Sequence, residues 1–536
     1  MTQRPYLVQH FLEESARRLP SKTALICGSR RFTYCEINDT TDRLACFLAS
    51  TGVQRQDRVA VWLDNSAEAV FSIFGILKAD AVFLVLSPTM KAGKLAFILN
   101  DCQVKTLITH VNRSRMALEA AAAAEHLENI VWVGEKDEVP SGQTERIAHA
   151  SFAEALLSQS PGGKSHTFVN IDQDLAAIIY TSGSTGEPKG IMLTHLNMLS
   201  AAHSITTYLE NREDDIIINA LPLSFDYGLY QVLMAFKFGG TVVLEWSFTY
   251  PYQVIQRMID ERVTGFPGVP TIFAILLGLK GLEKYDFSHL RYITNTAAAL
   301  PPAHIRKLRE LFPHVRIYSM YGLTECKRVS YLPPEEIDRR PNSIGRGMPN
   351  EEVWIVDENG DRIPPGTVGE LVVRGSNVMR GYWNRPEDTA RTLRPGRYPG
   401  EVVLHTGDLF RMDDEGYLYF VGRRDDMIKT RGERVSPREI EACLFALDGV
   451  AEAAVIGVPH EILGQAIVAF VRCGDGVVLT ARDVLRHCKR HLEEFMIPQS
   501  VELVSSFPKT STGKIDKLSL RSFQAARQES CSERTP

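Results

Sequence analysis

Through its first 330 residues or so the chain alternates short apolar runs with helix-patterned segments, and this rhythm limits the fold more than any other feature. HFLEESARRL (10–19) repeats its apolar residues at helical spacing. RVAVWL (58–63) reads as a strand, AEAVFSIFGILKA (67–79) as a helix, and AVFLVLS (81–87) and VKTLITH (104–110) as further strands. MALEAAAAAEHLENIVWVG (116–134) repeats helix-then-strand. Parallel strands need crossovers, so the pattern predicts a mostly parallel sheet covered by helices. The Pro/Gly/Ser-rich stretches EKDEVPSG (135–142) and SQSPGGKSH (158–166) read as surface connections. A second alternating stretch then runs from DLAAIIY (174–180) through TVVLE, VTGFPGVP and RYITNT to VRIYSMYG (315–322). Two α/β units in tandem are expected.

From about residue 340 the texture changes. EEVWIVDENGDRIPPGTVGELVVRG (351–375) alternates apolar and polar residues around the turn signals ENGD and PPGT, predicting antiparallel hairpins in a small barrel or distorted sheet. After Gly422 a compact α/β unit follows, with helices at 436–447 and 480–492, strands at 450–458 and 466–473, and a frayed end from residue 524. The expected fold is therefore α/β. A large N-terminal domain (1–421) holds two Rossmann-like subdomains plus a barrel-like part, and a small mobile α+β domain (422–536) follows.

Composition excludes several classes. The 60 Lys+Arg and 65 Asp+Glu nearly cancel, giving −5, so no clustered basic footprint for nucleic acid or an anionic membrane is expected. Nine cysteines without a CxxC pair suggest reduced thiols in a cytoplasmic protein, neither a disulfide framework nor a zinc site. Lys78 and Asp80 interrupt the most apolar stretch, so no membrane span is expected.

YTSGSTGEPKG (180–190) is the sharpest local signal. Thr181, Ser182, Gly183, Ser184, Thr185 and Gly186 let backbone N–H groups and hydroxyls close around an anion, and Lys189 adds a positive charge. Gly190 follows the lysine where a Walker A loop needs Ser or Thr, and no GxGxxG is present, so kinase and GTPase readings lose their main support.

The whole phrase resembles the phosphate loop of the adenylate-forming superfamily: acyl-CoA synthetases, carrier-protein adenylation domains and luciferases. YGLTE (321–325), GELVVRGSNVMRGYWNRPEDT (369–389), TGDL (406–409), GRRDDMIKTRGER (422–434) and PKTSTGKIDK (508–517) follow in that family's order. The resemblance implies an ATP-dependent, Mg²⁺-requiring ligase that turns a carboxylate into an acyl-adenylate and then a thioester. It also implies residue roles. Asp408 holds the ribose hydroxyls and Tyr321 stacks on adenine. Thr324 meets the α-phosphate and Glu325 the Mg²⁺. Thr296 and Ala297, in the loop NTAA, border the adenine. Arg423 reaches the ribose and phosphate, Asp425 is the hinge, and Gly432 lets a pantetheine arm pass. Lys514 is the catalytic cation that touches both the attacking carboxylate and the α-phosphate.

The acid is read from LPLSFDYGLY (221–230). By the same resemblance Phe225–Asp226 matches amino-acid adenylation domains, whose aspartate pairs with the substrate ammonium; alternatively Asp226 caps the helix that follows. Stand-alone ligases associated with exosortase gene systems share this look. By position, Tyr227, Tyr230, Pro267, Ile293, Asn295, Met320, Arg328 and Val329 line the acyl pocket. Arg328 either binds a second acidic group or points outward toward Glu325 or Glu335. No phosphopantetheine attachment segment follows Lys517, so the thiol belongs to free CoA or a separate acyl or peptidyl carrier protein. An aliphatic acyl-CoA synthetase and a non-catalytic scaffold retaining the fold are the competing readings, and intact Lys189, Glu325, Asp408 and Lys514 oppose the second.

Overall fold

The strand Arg58–Trp62 shows how the sequence becomes layers: Val59 and Val61 enter one apolar core while Ala60 and Trp62 enter another. Both faces of such a strand are covered, as parallel sheets require. The computed structural model describes residues 5–140, 146–157, 170–182, 188–296, 300–424, 426–430, 433–460, 463–474, 476–510 and 514–532, and their strands form four sheets.

The first sheet has eight strands, in the order Gly381–Tyr382, Pro188–Thr194, Leu175–Ser182, Val82–Val85, Arg58–Trp62, Val104–His110, Asn129–Val133 and Ala148–Ser151. The second has nine, and its parallel centre comprises Arg316–Tyr321, Tyr292–Asn295, Gly265–Gly268, Ile216–Asn219, Thr241–Leu244 and Thr23–Cys27. The two units are interleaved, not in tandem. Thr23–Cys27 leaves the first unit to pair in parallel with Thr241–Leu244, while Leu175–Ser182 and Pro188–Thr194 return to the first sheet. One continuous apolar core joins them: Val59, Val61 and Phe83 share it with Ile217, Val242 and Phe266. The helices Ala67–Lys78 and Asp226–Phe238 supply Phe74 and Phe236, whose rings lie 5.2 Å apart.

The third sheet is antiparallel and does not close, so the barrel-like expectation is corrected. Val402–Met412 pairs along one edge with Val368–Gly375, and along the other first with Leu393–Pro395 and then with Leu418–Arg423. Both of its edges are thereby filled, and Glu351–Val356 pairs with Val368–Gly375 as an outer strand.

The fourth sheet is the core of the C-terminal part. In Val450–His460 and Gly464–Cys473, Val455, Ile467 and Ala469 face Ile440, Leu444 and Val484 of the helices Pro437–Phe445 and Ala481–His491. The opposite face, Ile456, Val468 and Phe470, is covered by Phe507 and Leu520. Leu520 belongs to the helix Lys517–Ser532, which takes up most of the stretch expected to fray; docking of its first turns stabilises a run of good helix formers. Arg438 lies 4.8 Å over Phe420 at the end of the third sheet, and within the C-terminal part Arg521 bonds Asp426 at 3.2 Å. Among the described residues no helix is long and apolar enough to cross a membrane.

Candidate active site

Sheet topology gathers motifs that are far apart in sequence. The strand Arg316–Tyr321 delivers Tyr321 beside the third sheet, where its hydroxyl donates to Asp408 at 2.6 Å and its ring meets Phe410 edge-on at 4.9 Å. Arg423 Nε donates to the other Asp408 oxygen at 2.9 Å. Gly407, at φ +70°, turns the backbone so that Asp408 points this way. Burial raises the Asp408 pKa, opposed by Arg423, Tyr321 and Lys514. A carboxylate has about four acceptor sites, so both oxygens keep capacity for incoming hydroxyls.

Glu325 Oε1 accepts from the Tyr382 hydroxyl at 2.8 Å. Burial raises its pKa, and among the described residues it has no ion-pair partner. A half-buried carboxylate lacking a cation suits a hard divalent ion such as Mg²⁺, which takes one or two carboxylates plus substrate phosphates. Among the described residues no cluster of three or more acidic, His or Cys side chains stands ready to cage a metal alone.

Thr181 and Lys189 pair across the two strands flanking the expected phosphate loop. Lys189 Nζ sits 3.1 Å from Asp388 and 5.6 Å from the Tyr382 ring centre, so its charge is tethered by the RPEDT segment. Of the loop, Ser182 contributes its backbone to the pairing, whereas Gly183, Ser184, Thr185 and Gly186 lie outside the described residues. So do Ala297, Asp425 and Gly432, the expected adenine, hinge and thiol-passage positions.

Lys514 comes from the C-terminal part and reaches a small cavity of ≈ 60 Å³ that it lines with Asp226, Tyr227, Thr296, Thr324, Lys327 and Arg328. It stays solvent-accessible, yet surrounding mass lowers its pKa, opposed by Asp226, Asp408 and Glu325. A larger hollow of ≈ 420 Å³ lies on the third sheet among Trp354, Arg374 and Tyr398, and holds none of these groups.

Asp226 has a different partner from the one expected of it. Asp226 is the first residue of its helix, and the N-cap before it, Phe225, makes no side-chain cap. The Asp226 carboxylate instead accepts from the buried ammonium of Lys327 at 3.3 Å. An internal cation thus stands where a substrate ammonium was expected. Lys327 also lies 4.5 Å over Tyr230 and 5.4 Å over Tyr227, and burial pushes its pKa down to about 7 despite Asp226. Its backbone adopts φ +66°, unusual for lysine, and Gly322 makes the fold possible: a Cβ there would meet the Lys327 carbonyl at 2.4 Å.

Arg328 points inward, away from solvent. It donates to Thr296 Oγ1 at 2.5 Å and its guanidinium lies 5.2 Å over Tyr227. The Tyr227 hydroxyl is held at Thr294, 2.5 Å from Oγ1 and 2.9 Å from the carbonyl oxygen. Asn295, Met320, Pro267, Ile293 and Val329 are buried nearby in the second sheet or beside it, outside the cavity lining. Lys327 was missed in the sequence; two adjacent basic residues inside a buried stretch were the available signal.

The AMP-binding enzyme family model matches residues 12–383, and the model for the AMP-binding enzyme C-terminal domain matches 439–514. A 3-[(3aS,4S,7aS)-7a-methyl-1,5-dioxo-octahydro-1H-inden-4-yl]propanoyl:CoA ligase of Rhodococcus jostii is 32% identical, over 97% of this chain and 99% of its own. A long-chain-fatty-acid–CoA ligase of Bacillus subtilis is 30% identical, over 95% and 93%. The crystal structure of the anthranilate CoA ligase AuaEII with anthranoyl-AMP superposes with a TM-score of 0.88 at 29% identity, covering 98% of both chains. The chain therefore belongs to the AMP-binding enzymes, the adenylate-forming superfamily of the acyl-CoA synthetases, and is an AMP-forming acid-thiol ligase.

Proposed function

We propose that this enzyme activates a carboxylic acid at the cavity shared by Thr324 and Lys514, and passes the acyl group to the thiol of CoA. The observation that carries this reading is Lys514, brought from the C-terminal part to a cavity otherwise built by the large part. A carboxylate oxygen attacks the α-phosphorus of ATP, the bond to the pyrophosphate oxygen breaks, and acyl-adenylate plus pyrophosphate result. The thiol then attacks the acyl carbon, AMP leaves, and the thiol proton goes to solvent. Lys514 neutralises charge where both anions meet, Thr324 donates to the α-phosphate, and the Asp408–Tyr321–Arg423 cluster orients the ribose. Mg²⁺, held by Glu325, would screen the phosphates when bound.

The division at about residue 422 gives this chemistry two working parts. Arg423 belongs to the third sheet by its pairing with Asp408, which supports a pivot beyond it, proposed at Asp425. CoA is the proposed acceptor because the full-length relatives are CoA ligases; a separate carrier protein is the alternative. The free thiols described suit the cytoplasm.

Acid-dependent turnover should release AMP and pyrophosphate, and release of ADP and orthophosphate instead would overturn the proposal. Asp408→Asn should raise the KM for ATP roughly 10- to 100-fold, the loss expected for hydrogen bonds to a charged acceptor, with the KM for the acid unchanged. Steady-state pyrophosphate exchange at varied ATP checks it.

A further inference from the structure

We propose that the acid this enzyme activates carries a second anionic group, bound by Arg328 and Lys327: a short dicarboxylate, of which one carboxylate is adenylated and the other held. The inference rests on the ligase reading above and deepens it.

Three observations converge. Besides Lys514, the cavity wall holds two basic side chains, Lys327 and Arg328, against one carboxylate, Asp226. Arg328 Nε is buried with no hydrogen-bond partner among the described residues, while Nη1 donates to Thr296. Buried guanidinium N–H groups are rarely left unpaired, and a planar fork suits a carboxylate. The backbone at Lys327 is held in a left-handed conformation that turns its ammonium onto Tyr230 and Asp226. Strain of that kind persists where the surroundings impose it, commonly at ligand clamps.

Glu351 is the internal competitor for Arg328. It makes no ion pair with the guanidinium within 4.0 Å, and its Oε1 accepts from Asn377 at 2.5 Å; burial raises its carboxyl pKa well above the usual range, against the pull of Asn377 and Arg328. Lys327 is paired with Asp226, whereas Arg328 makes no ion pair within 4.0 Å among the described residues. Size points the same way. At ~10–15 Å³ of such space per water, ≈ 60 Å³ accommodates a short acid and not a long alkyl chain. A long alkyl tail would also leave the buried Arg328 guanidinium without an anionic partner.

The test is pyrophosphate exchange by the full chain over malonate, succinate, glutarate and adipate, each beside its monomethyl ester, with butanoate, hexadecanoate and α-amino acids. A dicarboxylate should exceed its own monoester in kcat/KM by on the order of 10²-fold, since a site built for a polar group rejects the analogue lacking it. This comparison needs no variant. Arg328→Leu should remove that preference through the KM for the acid, Arg328→Lys should restore part of it, and Glu351→Gln should leave it intact. Equal rates with diacid and monoester, preference for an amino acid or hexadecanoate, or a rise in the KM for ATP alone in Arg328→Leu would each overturn the inference while leaving the ligase reading standing. Acid-dependent release of ADP would remove both.

Discussion

Lys514→Ala is expected to slow ATP–pyrophosphate exchange by about 10²–10³-fold, the usual consequence of removing one charge aimed at a transition state. Conversion of a supplied acyl-adenylate to its thioester should continue at close to the original rate. The asymmetry follows from where the residue comes from. Lys514 is borrowed from the C-terminal part, whereas Thr324, Asp408 and Tyr321 belong to the large part. One site serves two reactions, and a group supplied by a separable element is needed only while that element is docked.

The variant should fold. Lys514 is anchored by its backbone, whose carbonyl accepts from Thr510 N at 2.8 Å and whose N–H donates to Thr510 Oγ1 at 3.2 Å; alanine keeps both. Its side chain is solvent-accessible and forms no ion pair within 4.0 Å among the described residues, so the unfolding transition should barely move. The two half-reactions are read with the acid the wild type exchanges fastest. Equal loss of both would remove Lys514 from the adenylation step.

The parts of the fold legible in the sequence are those with local periodicity. Arg58–Trp62, Val104–His110 and Ala67–Lys78 follow from apolar spacing alone. The site motifs were legible because each is short and chemically unusual, and Tyr321, Asp408 and Arg423 do come together. The interleaving was not legible: parallel pairing of Thr23–Cys27 with Thr241–Leu244 spans over two hundred residues, and apolar strands carry no label for their neighbours. Closure of the third sheet failed as an expectation for a related reason, since alternation predicts strands without saying which edges meet. Lys327 escaped because a lysine normally signals solvent. Only a left-handed turn over Gly322 sends it inward, and no periodicity encodes such a turn.

Breaking the Asp226–Lys327 pair on one side should produce the largest loss of stability. Their side chains are 9% and 2% exposed, so neither charge is shared with bulk water. Lys327→Met leaves Asp226 buried without its cation, and removal of one partner from such a pair typically costs about 3–5 kcal/mol. The double variant Asp226→Asn/Lys327→Met removes both charges and should recover most of that loss, because the pair's desolvation disappears with its attraction. Differential scanning calorimetry of the four proteins, arranged as a double-mutant cycle, measures the coupling. The pH dependence carries a sign. Lys327 titrates near 7 in the folded chain, against 10.5 for an ordinary lysine, so between these values the unfolded state binds more protons. Wild-type stability should therefore rise with pH across this window and fall as pH drops toward 7, a slope the Lys327→Met protein lacks. If Lys327→Met melts within a degree of the wild type at every pH, the ammonium is not buried against Asp226, and the cation pair assigned to the acyl pocket loses one member.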